Sequence, residues 1–219
     1  MTMHNSKIEM RIESMDVTVQ HQNNILRSDP SGNELELHDG LETSSDIVEE
    51  LIVGRTEEKE KVMASLLQGM QEKIVILTIH GIGGIGKTTF ARLIYNNPKF
   101  KCYSQVWVDV SQRFGLNRIR ESMISQLSGK ESPANERQMI HYCLTDLISH
   151  KKIMIVLDDL WVDNQFQLQE LKDMLYHDDS NIIVLVTTRS ELVAKRICTN
   201  VQPHKILPLT NDMCRDIIK

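Results

Sequence analysis

The sequence predicts an α/β fold with one five-stranded, mostly parallel sheet that is covered by helices on both faces. The first reason is an alternation of short, β-branched apolar runs with longer stretches whose apolar residues have helical spacing. The second reason is a glycine-rich loop, residues 81–89, that joins one such run to one such stretch. Strands that alternate with helices form parallel sheets, because each connection has to return along the sheet before the next strand begins.

Two segments precede the predicted domain. Residues 1–27 space their apolar side chains alternately by four and by three, with one polar interruption, which predicts a marginal short helix in preference to a stable coiled coil. Residues 28–48 are acidic and polar and contain proline and glycine, which predicts a flexible linker. The domain itself is expected to span residues 49–212, with its first helix over residues 57–68.

The loop at residues 81–89 reads Gly-Ile-Gly-Gly-Ile-Gly-Lys-Thr-Thr, which is the spacing of a phosphate-binding loop. A strand predicted at 74–79 precedes it and a helix predicted at 88–96 follows it, as this loop requires. Glycines let the backbone approach phosphates closely, and the helix start offers free N–H groups and a positive dipole end. The fold class is therefore that of the P-loop NTPases. The predicted nucleotide-binding residues of the loop are Gly81, Gly83, Gly84, Ile85, Gly86, Lys87, Thr88 and Thr89.

The remaining elements continue the alternation. Further strands are predicted at residues 104–110, 153–157 and 182–186, with a short fifth strand at 205–207. Further helices are predicted at residues 117–127, 135–150, 165–176 and 191–197. Trp107 and Trp161 lie beside apolar runs and are expected to pack in the core.

The chemistry is expected at the carboxyl ends of the strands, where open α/β sheets bind their ligands. Lys87 is expected to bind the β- and γ-phosphates, and the Thr88 hydroxyl to bind Mg²⁺. Asp158 and Asp159 follow the third strand. We expect Asp158 to hold Mg²⁺, and Asp159 to accept a proton from the attacking water or only to position it. Arg189 follows the fourth strand, where it can contact the γ-phosphate or form a structural salt bridge.

Composition limits the partner and the compartment. Residues 28–60 hold eleven Asp or Glu and two basic residues, so this segment carries −9 and the rest of the chain +4. A mildly basic domain fits an anionic ligand, and we expect no direct nucleic-acid partner. The four cysteines are far apart and form no C-x-x-C, which predicts free thiols in a reducing, cytoplasmic compartment. With no secretory signal and no apolar run near eighteen residues, no transmembrane segment is expected.

Taken together, the motifs resemble the NB-ARC module of plant disease-resistance proteins of the nucleotide-binding, leucine-rich-repeat family. The resemblance covers roughly residues 41–212 and rests on six motifs in order, at residues 53–55, 81–89, 100–114, 153–161, 182–189 and 205–209. The tryptophan at 161 is typical of members with an N-terminal coiled-coil domain. The resemblance implies that residues 1–27 are a remnant of that coiled-coil region and that residues 213–219 begin a truncated ARC region.

For function, the resemblance implies that Val53, Gly54 and Arg55 border the adenine and that Arg189 senses the γ-phosphate. It further implies a molecular switch in plant defence, which holds ADP in the resting state and exchanges it for ATP with Mg²⁺ on activation. The implied protein partners are other resistance proteins or signalling proteins. Because the chain stops inside the motif after Leu209, weakened retention of ADP and slow hydrolysis at most are expected. Two alternatives remain open: a non-catalytic fragment that modulates full-length relatives, and a small P-loop ATPase.

Overall fold

The computed structural model of the chain describes residues 54–110, 114–130 and 137–218, which all belong to one compact unit. The helix predicted at 1–27, the linker predicted at 28–48 and the site residue Val53 lie outside the described residues. These three expectations, and the boundaries drawn from them, therefore stay predictions.

The described helices and strands follow the predicted alternation closely. The strands are β1 Ile74–His80, β2 Ser104–Asp109, β3 Lys152–Asp158, β4 Asn181–Thr188 and β5 His204–Lys205. The helices are α1 Thr56–Gly69, α2 Lys87–Tyr95, α3 Leu116–Ser128, α4 Arg137–Ile148, α5 Gln165–Leu175, α6 Glu191–Ile197 and α7 Asn211–Ile218, with a 3₁₀ turn at Pro98–Phe100. Helix α7 runs across the domain boundary predicted between residues 212 and 213.

The five strands form one sheet in the order β2-β3-β4-β1-β5, and each of the four neighbouring pairs is parallel. This confirms the predicted α/β class with five strands. Two strands end earlier than predicted, and the other three extend one or two residues beyond their predicted ends. Strand β2 ends at Asp109, one residue early, although the N–H of Val110 still donates to the Asp158 carbonyl across 2.9 Å. Strand β5 ends at Lys205 instead of continuing to Leu207.

The reason for the early end of β5 is a competing set of hydrogen bonds. The Leu207 carbonyl accepts a 2.8 Å bond from Nη1 of Arg55, and the Leu207 N–H donates to Oε1 of Glu58 across 3.4 Å. Both partners lie at the start of α1. The backbone of Leu207 is thus bonded to α1, while β1 itself ends at His80, opposite Lys205.

Two apolar clusters, one on each face of the sheet, make up the core. One cluster packs α3 to α6 on the face that carries Ile76, Ile155 and Val184. The other packs α1 and α2 on the face that carries Leu77 and Leu185. Because side chains of a strand alternate between faces, strands covered on both sides become continuous apolar runs, as in β1, β3 and β4. The predicted helical cover on both faces is therefore confirmed.

Two histidines lie beside the β1–β5 pairing. His80 is 6% exposed at the end of β1, and the ring of His204 in β5 stacks on Phe90 with 5.6 Å between ring centroids. Burial lowers the pKa of His80, although Glu191 opposes this shift. Burial likewise lowers the pKa of His204 against the opposing effect of Glu58. The folded chain therefore favours the neutral form of both rings.

We expect the melting temperature to fall as the pH is lowered from about 7.5 to about 5.5. Both rings are neutral in either state above the ordinary histidine pKa of about 6.5, whereas below it the unfolded chain takes up protons that the folded chain does not. Thermal unfolding at the two pH values measures the difference. The double variant His80→Gln/His204→Gln should reduce it, and His150→Asn, at an exposed position whose φ of +60° asparagine tolerates, should leave it unchanged. An undiminished pH dependence in the double variant would contradict this assignment.

Candidate functional site

The carboxyl ends of the strands and the loop after β1 enclose a cavity of about 440 Å³. Most of the residues predicted for nucleotide and metal binding meet in its wall, together with one residue that the sequence reasoning did not single out, Asp109. The lining residues are Gly83, Gly84, Gly86, Lys87, Thr88, Thr89, Asp109, Asp158, Asp159 and Arg189. The predicted residues Gly54, Arg55, Gly81 and Ile85 are not among them.

The glycines of the loop serve two different needs. Gly84 and Gly86 have φ angles of +75° and +94°, and a Cβ at either position would meet no atom within 4 Å. Their requirement is thus conformational, because L-residues with a side chain rarely adopt this region. Gly81 is needed for close packing instead, since a Cβ there would lie 2.8 Å from Cγ2 of Ile206.

Lys87, the first residue of α2, turns back over the loop. Its Nζ donates to the Ile82 carbonyl across 2.9 Å, and the residue is only 7% exposed. Burial lowers the pKa of Lys87, and the nearby carboxylates of Asp159 and Asp158 oppose this shift. An ammonium has three N–H donors, so the bond to Ile82 leaves others for phosphate oxygens.

Asp158 is the most constrained acid of the cavity. It is 8% exposed, and its Oδ1 accepts from the Thr88 hydroxyl across 3.0 Å and from the Thr187 hydroxyl. Burial raises the pKa of Asp158, the two hydroxyl bonds lower it, and the carboxylates of Asp109 and Asp159 raise it further. The sequence reasoning missed Thr187, although this residue lies in the motif identified at residues 182–189.

The Thr88 hydroxyl and the Asp158 carboxylate fit a magnesium ion. Both are hard oxygen donors, and they lie side by side at the mouth of the loop. No group of three or more metal-binding side chains occurs among the residues that the structure describes. That is consistent with Mg²⁺, which takes one or two protein ligands and completes its shell with water and substrate phosphates.

Asp159 is held by Arg189 through a two-pronged ion pair. Nε and Nη2 of Arg189 donate to Oδ1 and Oδ2 of Asp159 across 3.2 and 2.9 Å. The backbone of Asp159 has a φ of +55°, and its N–H donates to the Thr187 hydroxyl across 2.8 Å. Arg189 was expected either to contact the γ-phosphate or to form a salt bridge, and the structure shows the salt bridge. The Arg189 side chain is nevertheless 66% exposed at the cavity.

Arg55 lies outside the cavity and stabilises the phosphate-binding loop by a hydrogen bond. Its guanidinium is buried, pairs with Glu58 and donates to the carbonyls of Leu207 and Ile85 across 2.8 and 3.2 Å. Gly54 lies under α7, where a Cβ would come within 2.6 Å of Sδ of Met213. A direct contact of these two residues with adenine stays a prediction.

Residues 55–219 match the family profile described as the NB-ARC domain. The chain belongs to the NB-ARC family. It is 29% identical over 177 residues to the putative disease resistance protein RGA1 of Solanum bulbocastanum, covering 79% of this chain and 18% of that protein. It is 30% identical over 180 residues to the putative disease resistance RPP13-like protein 1 of Arabidopsis thaliana, covering 80% of this chain and 17% of that protein.

Membership confirms the predicted resemblance and the nucleotide-binding character of the NB-ARC domain described here. The chain spans less than a fifth of the length of these curated relatives.

Among solved structures, its fold is similar to that of Cdc6p from Pyrobaculum aerophilum, with a TM-score of 0.59 at 16% identity over 75% of this chain and 48% of that one. A Drosophila ORC structure gives a TM-score of 0.60 at 15% identity over 94% and 57%. Both likenesses support the fold alone.

Within the described part of the NB-ARC domain, no helix has both the length and the apolar character that crossing a membrane requires.

Replacing Asp158 with Asn should raise the melting temperature of the domain at neutral pH. The pKa of Asp158 is raised on folding, so its contribution to stability is present below the ordinary Asp pKa of about 3.9 and is lost as the pH rises through the folded value. An Asn Oδ1 can accept the same two hydroxyl bonds without a buried charge. The stabilisation should disappear near pH 3, where Asp158 is already neutral. A lower melting temperature at pH 7 would contradict the prediction.

Replacing Gly86 with Ala should weaken ADP binding and also destabilise the fold by roughly 1–2 kcal/mol, the cost of a left-handed backbone for a residue with a Cβ. Gly129, which caps α3 with a φ of +66° and also has space for a Cβ, is the matched control. Gly129→Ala should cost similar stability and leave ADP affinity unchanged. Chemical unfolding and calorimetric titration measure the two quantities, and an equal loss of ADP affinity in both variants would contradict the assignment.

Proposed function

We propose that this NB-ARC domain is the ADP- and ATP-binding switch module of a plant innate-immune receptor. The observation that carries the proposal is the bond between Thr88 and Asp158 beside the buried Lys87. It brings a phosphate-binding loop, a metal-binding hydroxyl and a metal-binding carboxylate to one cavity. The role in disease resistance rests on the names of the relatives, RGA1 and RPP13-like protein 1.

Lys87, the loop N–H groups and Mg²⁺ would together neutralise the phosphates in this cavity. The loop glycines provide the backbone approach, and Lys87 donates to phosphate oxygens the N–H groups that its bond to the Ile82 carbonyl leaves unused. Thr88 and Asp158 would hold Mg²⁺, which would supply the remaining positive charge. Cations that bind both the nucleotide and the protein favour a nucleotide over a neutral ligand of the same size.

The difference between ADP and ATP would be read at Arg189. A γ-phosphate competes with Asp159 for the guanidinium, because both are anions that accept its paired N–H donors. A nucleotide can shift the equilibrium between two arrangements only by its differential affinity for them. Arg189 bonded to Asp159 and Arg189 bonded to phosphate are two such arrangements.

Hydrolysis by this site is proposed to be slow. Asp159, the candidate for positioning or deprotonating the attacking water, has both carboxylate oxygens bonded to Arg189. The guanidinium therefore competes with water for this carboxylate. Steady-state phosphate release tests this point, and rapid turnover would favour the alternative of a P-loop ATPase.

All four cysteines are free, which supports a reducing, cytoplasmic location.

Replacing Lys87 with Ala should lower the affinity for ADP and for Mg·ATP by about tenfold or more, since charge-assisted hydrogen bonds contribute roughly 1.5–3 kcal/mol each. Lys101→Ala removes an equal charge from an exposed position outside the cavity and is the matched control. Calorimetric titration of the folded chain measures both affinities. Unchanged ADP affinity in Lys87→Ala would refute the role of the lysine, and no saturable uptake of either nucleotide by the unaltered chain would refute the function.

A further inference from the structure

We infer that Gln126 closes the free edge of the sheet against strand addition, and that loss of its carboxamide opens β2 to the β2 strand of a second copy of this chain. The inference goes beyond the proposed function and does not depend on it. It rests on two hydrogen bonds between one side chain of α3 and the backbone of an edge strand.

Strand β2 is an edge strand of the described sheet, because it pairs with β3 on one side and ends the strand order on the other. The Val110 N–H donates to the Asp158 carbonyl of β3, and successive residues of a strand direct their N–H and C=O groups to opposite sides. The alternate residues Gln105, Trp107 and Asp109 therefore direct these groups to the free edge. An edge of this kind is a template on which another strand can form.

The carboxamide of Gln126 occupies the central position of this edge. The Trp107 N–H donates to Oε1 of Gln126 across 2.9 Å, and Nε2 of Gln126 donates to the Trp107 carbonyl across 2.8 Å. Two residues that face each other in a hydrogen-bonded antiparallel pair exchange the same two bonds. One side chain of α3 thus takes the place that one residue of an added strand would occupy.

The carboxamide is held in this orientation although Gln126 is an exposed residue. Its Nε2 carries two N–H groups and also donates to the Ser122 hydroxyl, one turn earlier on α3, across 3.0 Å. Helix α3 itself is anchored by Ile119 and Met123 in the apolar cluster that contains Val106 of β2. The two bonds to the edge therefore come from a side chain that its own helix holds in place.

A strand that adds to this edge has to displace Gln126. Within β2, Gln105 and Asp109 lie on either side of Trp107, so no two consecutive outward-facing residues remain while the carboxamide is in place. The opposite edge is limited in a different way, because β5 has two residues and the backbone of Leu207 after it is bonded to α1. Short or covered edges restrict edge-to-edge pairing between protein molecules.

The partner that fits the opened edge is a second copy of this chain. Every copy presents the same β2 edge, and two such edges can pair antiparallel about a twofold axis at Trp107. The Trp107 backbones of the two copies then exchange the two bonds that Gln126 provides in the single chain. That register places Gln105 of each copy opposite Asp109 of the other, so the two Asp109 carboxylates do not face each other.

The test measures hydrogen exchange of the Trp107 amide and self-association of the full chain, for the unaltered protein and for Gln126→Met. Methionine has a similar length and helix propensity but no amide group. In dilute solution, the Trp107 amide of the variant should exchange about tenfold faster or more, the factor that loss of one hydrogen bond is worth. At high concentration the variant should form dimers that the unaltered chain does not form, and its Trp107 amide should become protected again.

Gln169→Met is the matched control. It removes an exposed carboxamide of α5 that is bonded to Asp173 of the same helix, and it should behave as the unaltered chain in both measurements. Analytical ultracentrifugation measures the association, and circular dichroism checks that each variant is folded. Gln126→Ala repeats the comparison with a smaller side chain.

Three results would overturn the inference. The first is an unchanged exchange rate of the Trp107 amide in the Gln126 variants. The second is faster exchange without additional association at the highest soluble concentration. The third is association in which the Trp107 amide stays unprotected, because the contact between copies then lies away from β2.

Discussion

A buried carboxylate that accepts from two threonine hydroxyls is the interaction on which the cavity depends. Asp158 ends β3, and its two partners come from α2 and from β4, so three elements meet at one oxygen atom. An ionised carboxylate at 8% exposure is costly unless hydrogen bonds compensate it. Those bonds fix the start of α2, and with it the phosphate-binding loop, against the strand ends. The buried carboxylate therefore lowers the stability of the fold but fixes the positions of the cavity groups before a ligand binds. This is the condition for electrostatic preorganisation.

The two cations of the cavity are each held by oxygen atoms of the protein itself. Lys87 donates to a carbonyl of its own loop, and Arg189 donates to Asp159. Lys87 keeps further N–H donors for a phosphate group, whereas a γ-phosphate has to compete with Asp159 for the paired donors of Arg189. The same loop is also bonded to Arg55 through the Ile85 carbonyl, and Arg55 reaches the segment after β5. A movement of the loop is therefore coupled to the segment that leads into α7.

Much of the fold could be predicted because strands covered on both faces become apolar runs, and because the loop motif fixes its own strand and helix. The polar exceptions required the tertiary structure. Apolar periodicity could not show that Arg55 and Glu58 take the backbone of Leu207 away from β5. Asp109 was not singled out within the strand predicted at 104–110, because only the strand order places it beside Asp158. The expectation of a core position for Trp161 was wrong, since that residue is 55% exposed.

Several exceptions to ordinary folding rules lie in the wall of this cavity. Gly84, Gly86 and Asp159 have positive φ angles, Lys87 is a buried cation, and Asp158 is a buried anion whose pKa is raised. A sequence selected for stability alone would avoid all five, so their placement in one wall indicates a demand other than stability. The proposed ligand, a nucleotide with a divalent cation, would accept from Lys87, bond to the loop N–H groups and compensate the carboxylates. Because only the folded chain offers these contacts together, the bound nucleotide adds to the stability of the fold in proportion to the logarithm of its concentration. The same arrangement of charges thus lowers the stability of the free domain and would raise its affinity for nucleotide.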